Sequence, residues 1–338
     1  MIETKKQKIL FYLSLTVFPI IVALWCLGSG RFGLSHFHSL SVLYHVIIDG
    51  KDSVSATEYS IIMNMRLPRI LLALVCGGGL AVSGVGLQST FSNPLVSPDT
   101  LGVASGASFG AAFALLFQVD LILVQCSALF FGLLACFLTY MLSSVGGNRK
   151  IIMLILSGIV VSSLFQSLVS LVKYVADTDE ILPSITYWLM GSLYTANYSN
   201  LYIGCPPILL CLILLFFIRW KMNVLCLPEE EAKSLGISIY KMRLFVIICS
   251  ATITACVVSM CGQIGWIGLL IPHICRLLFG HNHKKVVPAS IFLGATFLVV
   301  IDTISRSIAV TEVPVSILTS IIGAPIFLFL LRKAGHTL

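Results

Sequence analysis

Arg66, Arg69 and Arg306 stand at the margins of strongly apolar runs, and cations in that position want an anionic partner. Asp302 lies four residues before Arg306, the spacing at which a helix brings two side chains together for a few tenths of a kcal/mol. Anionic lipid or an acidic docking protein are the other partners such cations can take. His273 follows Pro272 inside an apolar run, and a lone helical histidine reads as a structural hydrogen-bonder rather than an iron ligand. The eleven cysteines form no C-x-x-C and lie mostly in apolar segments, so they read as small core residues with no metal or disulfide framework. No H-E-x-x-H and no paired mid-segment acids occur, and G-x-x-x-x-G-K-[ST] is absent, so neither hydrolytic chemistry nor nucleotide binding is encoded. What the residues can do is pair charges and pack.

The elements that position them are membrane spans. Of the 338 residues 58% are hydrophobic and 10% charged, against about 25% charged in a soluble domain. A span takes about 20 apolar residues. The chain therefore has no room for a large soluble head. Apolar stretches predict ten spans, at 9–28, 67–88, 100–119, 121–143, 151–172, 201–218, 244–262, 266–280, 286–304 and 314–331. The first, preceded by Lys5, Lys6 and Lys8, is long and lacks an A-x-A site after it, so it is expected to be an uncleaved span. With ten spans both termini share a side. Placing fifteen of the 21 Lys and Arg inside, Arg149, Lys150, Lys284 and Lys285 among them, and six outside (Arg31, Lys51, Arg66, Arg69, Lys173, Arg306) makes that side the cytoplasm. The net charge of +7 belongs to this bias, so nucleic acid is not an expected partner.

Three connections exceed a turn: 29–66 and 173–200 outside, and 219–243 inside. The last divides the chain into two four-span groups of opposite sense, plus spans one and six, which hints at an inverted repeat. Gly102, Gly106 and Gly110 recur at four-residue spacing in the third span and suit close helix packing, or helices that slide. Gly77, Gly78, Gly79, Gly84 and Gly86 place the second span in the interior. Between them Ser92 to Asp99 reads as a break and restart, with Pro94 ending one helix, Ser97 capping the next and Pro98 at its first position. That polar inner turn is either a well-capped corner or a gate. Leu227 to Gly236 starts with Pro228 and three acids and ends in glycine, as a short helix outside the bilayer does, and a second short helix over Ile239 to Arg243 should lead into span seven.

Several ordered stretches carry a resemblance: Arg66-Leu67-Pro68-Arg69, Gln88 to Asn93-Pro94-Leu95, Leu101-Gly102 to Ala107, Tyr187 to Leu193, Ala232 to Leu235-Gly236, Gly265-Trp266-Ile267-Gly268-Leu269 to Pro272-His273 to Arg276-Leu277, and Gly323-Ala324-Pro325. From about residue 60 to the end the chain resembles the FecCD-type permeases that import iron-siderophores, haem and cobalamin. The resemblance implies an all-α, polytopic type II ABC importer permease of ten helices, one transmembrane domain over residues 1–338 with coupling helices at about 228–243. It implies a bacterial cytoplasmic membrane, a second copy or a related permease as partner, two cytoplasmic ATPase subunits holding ATP and Mg, an external substrate-binding protein and a metal-chelate cargo. By that likeness Ala232, Leu235 and Gly236 grip the ATPase, Asn93 and Leu95 belong to the cytoplasmic gate, and Arg66, Arg69 and Arg306 meet acidic residues of the binding protein. Tyr187 to Leu193 becomes a short helix at the outer mouth, beside a channel formed by spans five and ten. No catalysis and no cofactor of the chain's own are expected. The family usually has Gly where Ser316 stands, an acid near Ser97 and Phe at Trp266. Cargo is not legible: iron chelate leads, with haem, cobalamin or an oxyanion as alternatives. An ion-coupled secondary transporter would need an ionisable group deep in the bundle, which Asp302, near an outer end, does not supply.

Overall fold

A computed structural model describes residues 5–30, 34–144, 151–227, 229–309 and 311–335, without the side chains of 5–10, 229, 233, 331 and 333–335. Arg31, Arg149, Lys150 and Pro228 lie outside the described residues. The helices are α1 (Lys5–Gly28), α2 (His36–Ile48), α3 (Ala56–Tyr59), α4 (Leu67–Phe91), α5 (Val103–Leu116), α6 (Leu121–Leu142), α7 (Ile151–Val175), α8 (Ile181–Leu189), α9 (Tyr198–Ile218), α10 (Glu229–Ser234), α11 (Ile239–Cys261), α12 (Ile267–Phe279), α13 (His283–Ser307) and α14 (Val315–Gly335). A π-helical turn, Ser60–Arg66, runs from α3 into α4, and 3₁₀ turns occupy Lys51–Ser53, Pro98–Leu101 and Lys221–Cys226. No strand occurs among the described residues.

Each of the ten predicted stretches falls on a helix, but they are not equal. Seven helical segments among the described residues are long and apolar enough to cross a membrane. α5 with 14 residues and α12 with 13 rise only about 20 Å, short of a bilayer core of roughly 30 Å. The predicted edges at 100 and 266 fail for a backbone reason: Gly102 has φ +75° and Trp266 φ +69°, and neither can continue a right-handed helix. The non-helical backbone before α5 is buried in protein rather than lipid, since Pro98 and Leu101 are buried and a methyl on Gly158 of α7 would strike the Thr100 carbonyl.

The glycines explain the packing. α4 is the central element, 83% of its most apolar window being buried, as its glycine content predicts. Methyl groups on Gly77 or Gly294 would run into each other's backbone, so α4 and α13 touch main chain to main chain, and Gly84 lies likewise against the Gly268 carbonyl of α12. Gly106 and Gly110 seat α5 on the Phe131 and Ser127 carbonyls of α6. Gly102 is not on that face. It closes the 3₁₀ turn in the left-handed conformation and faces Val161 and Ser162 of α7.

The outer connection 29–66, predicted to be longer than a turn, contains α2. Ser35 caps it through the His38 amide, His36 stacks on Trp25 at 4.2 Å and its Nδ1 meets the Trp25 carbonyl, and His38 Nε2 lies 2.6 Å from Glu58. Glu58 also closes the capping box of α3 with Ser55, whose hydroxyl bond, ahead of the His38 contact, holds that carboxylate down at about 2. The separate short helix expected over Ile239 to Arg243 does not exist. Ser238 begins one unbroken α11 through Cys261, because nothing between them interrupts helical backbone.

Candidate functional site

At one end of the bundle the three arginines converge, and they are buried. Arg66, Arg69 and Arg306 expose 5–8% of their surface. Arg69, in the first turn of α4, gives Nε to Asp302 Oδ1 at 2.7 Å and its two terminal nitrogens to the Glu312 carboxylate at 2.9 and 2.8 Å. Arg306 donates to the carbonyls of Cys26 and Ser29 and lies 3.7 Å from the other oxygen of Asp302, while Arg66 donates to the Leu27 carbonyl at 2.8 Å. Two guanidinium groups therefore satisfy the open carbonyls at the C-terminus of α1, where cations are favoured. The expected i,i+4 contact of Asp302 with Arg306 is present, yet the shorter bond of Asp302 goes to Arg69. An open cationic surface at these three residues is not what the fold provides: their donors are turned inward because α1, α4 and α13 close over them. Glu312 was missed by sequence reasoning. Its signal was available, as the acid just before span ten at the end where three cations gather.

Beside this cluster the turn after α8 ties two elements together. Ser192 donates its amide to the Cys261 carbonyl at 2.8 Å, and Val315 and Ser316 donate theirs to Gly191 and Met190, the Ser316 hydroxyl adding a bond of 2.6 Å to Met190. The hydroxyl that stands in place of the expected glycine is thus a link between α8 and α14.

At the opposite end Ser92 turns left-handed at φ 49° and closes α4. Asn93 Oδ1 accepts from the Leu95 amide at 2.9 Å and leaves Leu95 more than half exposed. Ser97 and Thr100 form a reciprocal cap, so the predicted break and restart is present. Behind the turn Gln88 donates to the carbonyls of Val96 and Gly268, and its own oxygen accepts from Arg276 at 2.5 Å. His283 is fixed beside it. Asn223 Oδ1 can only accept, so His283 Nδ1 carries the proton at 2.9 Å, and Nε2 at 2.6 Å is left for the Ser89 hydroxyl. Gln88 opens one of the stretches that carried the resemblance, whereas Asn223 and His283 carried no sequence signal beyond polarity at helix ends.

α10 projects from the same end. Ala232 is fully buried and anchors it, Leu235 is 58% exposed, and Gly236 sits at φ +73° with open space around it. The Tyr140 and Tyr240 hydroxyls meet at 2.7 Å and hold the start of α11 to α6. The arrangement combines a seated short helix, an exposed leucine and a left-handed swivel. It holds no group of three or more His, Cys, Asp or Glu fit to bind a metal among the described residues.

The profile of the FecCD transport family matches residues 16–333. The chain is 42% identical over 326 residues, 96% of each chain, to the molybdate import system permease protein MolB of Haemophilus influenzae. It is 39% identical over 273 residues, 81% of this chain and 82% of the other, to an iron chelatin transport system permease of Helicobacter pylori. A solved structure described as an inward-facing conformation of a metal-chelate type ABC transporter aligns with TM-score 0.86 and 41% identity, over 95% of this chain and 98% of that one.

Proposed function

The chain belongs to the FecCD transport family, and from that membership we propose how it works: as the membrane-embedded half of an ABC importer, moving a metal chelate or a metal oxyanion into a bacterial cytoplasm. It is an ABC importer permease and a multi-pass membrane protein. Further to that, ten helices cross the bilayer, the seven long ones together with α5, α12 and α14, and both termini lie in the cytoplasm with the Asn93 turn and α10. Two copies, or this chain and a related one, enclose the path. A binding protein delivers cargo at the arginine end, and two separate ATPase subunits engage α10 through Leu235, with Gly236 as swivel. The chain performs no covalent chemistry and holds no cofactor, ATP and Mg residing on the ATPases.

The observation that carries this reading is the near full-length structural match, at 41% identity, to a metal-chelate type transporter. The oxyanion reading stands beside the iron-chelate one because the relative named for molybdate import is 42% identical over 96% of the chain. Since Arg66, Arg69 and Arg306 are bonded internally, docking at that end requires either exchange of Glu312 for a partner's carboxylate or contact around the cluster.

Reconstitution tests it. The chain with its ATPase and binding protein in proteoliposomes should accumulate labelled molybdate or ferric chelate only with hydrolysable ATP. Accumulation by the chain alone, without nucleotide, would overturn the reading.

A further inference from the structure

Beside Asn93 the bundle opens into a cavity of about 1300 Å³ between the ends of α4, α12 and α14. Its lining is sorted by charge. Arg276, His273, His281 and His283 contribute, side-chain amides including Gln88 and Asn282 and the Ser89 and Ser92 hydroxyls make up the polar remainder, and among the described residues no carboxylate lines it. Arg276 is half-buried and donates to Gln88, but it forms no ion pair with a carboxylate among the described residues, and the titratable groups acting on it are the Cys275 and Cys226 thiols. His273 adds a buried Nε2 with no hydrogen-bond partner, and the charged or titratable groups facing it are Arg276 and His281. The opposite end shows the contrast, since Arg69 and Arg306 there share Asp302 and Glu312. A guanidinium half out of water without a counter-charge leaves a positive field, and apolar walls such as Leu278 and Phe329 focus it.

We propose that this cavity is an anion-selecting inner vestibule of the transport path, with Arg276 as its selecting charge, so that the cargo carries net negative charge as an oxyanion or an anionic metal complex. The route rests on the importer reading above; the sign of the field does not. One cation and neutral amides hold an anion weakly, which suits a chamber that must release what it receives.

Cys226 lines the cavity and reports on it. Of the cysteines only Cys126 and Cys226 are exposed, so Cys126→Ser leaves one accessible thiol. The full-length chain in detergent is labelled with an anionic sulfonatoethyl and a cationic trimethylammonioethyl methanethiosulfonate. In each case the Cys226 thiolate forms the new S–S bond and methanesulfinate leaves. Burial pushes this thiol up, equally for both reagents, so it cancels in their rate ratio. The anionic-to-cationic ratio, normalised to a free thiol, should be raised about 10-fold, return to one in Arg276→Gln and persist in Arg276→Lys. Asn93→Asp, which leaves the Arg276–Gln88 bond intact, should lower it as well. Millimolar tungstate should slow labelling of the parent chain and not of Arg276→Gln.

A ratio of one in the parent, or a raised ratio unchanged by Arg276→Gln, overturns the proposal. Loss of the preference on adding phosphatidylglycerol assigns the anion to a lipid phosphate and also overturns it. ATP-driven uptake is scored separately: failed uptake with the charge preference intact sinks the importer reading, and successful uptake without the preference sinks only the vestibule.

Discussion

Asp302 is the residue on which the arginine end turns. It is 1% exposed and faces two guanidinium groups, so Asp302→Asn leaves two buried cations with only Glu312 against them. Removing one partner of a buried pair costs about 3–5 kcal/mol, and the melting temperature of the purified chain should fall accordingly. Glu312→Gln should cost about 1 kcal/mol or less, because that carboxylate is a quarter exposed and screened by water. Equal losses in the two variants would contradict the assignment. Glu58 offers a pH test. Its native value of about 2 lies below the ordinary 4.5, so its contribution to holding α3 and α2 is complete above the ordinary value and disappears as pH falls through about 2. A carbon-13 titration of the Glu58 carboxyl should show that low midpoint and return toward 4.5 in Ser55→Ala. The cations of this end were legible in sequence, since charge in an apolar margin is conspicuous. Their burial and the identity of Glu312 as partner were not, because 243 positions separate it from Arg69 and only the fold joins them.

At the scale of elements, hydropathy located the helices of all ten predicted spans, while α2 and the lengths of α5 and α12 escaped it. Hydropathy reports how apolar a residue is and is blind to the two left-handed backbones, Gly102 and Trp266, that set where those helices begin. It also could not separate the first glycine of the 102, 106, 110 series from the two that pack. The distinction predicts different failures. Gly294→Leu should force α13 off α4 and cost about 1–3 kcal/mol or more by overpacking, read as loss of folded protein in detergent. Gly236→Ala meets no neighbour and suffers only from its positive φ, about 1–2 kcal/mol locally, so the chain should fold while α10 changes pose. Leu235→Asp should likewise fold, as that side chain is exposed, and should abolish co-purification of the ATPase subunit. Retained co-purification would remove α10 from the contact.

For the whole molecule, α4 and α11 form the buried axis, with 83% and 78% of their apolar windows covered, whereas α1, α6, α7 and α9 are each only 28% covered. The outer helices are therefore apolar on both sides, as lipid or a second copy requires. The two ends of this bundle differ in electrostatic design: one pairs Arg69 and Arg306 with acids, the other leaves Arg276 without one among the described residues. Sequence counting found the bias in basic residues but not this asymmetry of pairing, which depends on where Asp302 and Glu312 fold.

The carbonyls at the end of α1 lend the last point. Because Arg66 and Arg306 draw three of their acceptors from Cys26, Leu27 and Ser29, the opening helix is a plug of main-chain dipoles seated in a socket built by distant parts of the chain. A polypeptide started at residue 34 should be unstable for want of those acceptors, and a separately synthesised 1–30 peptide should restore it. The same peptide extended only to Leu24 should not, although it keeps most of the apolar surface.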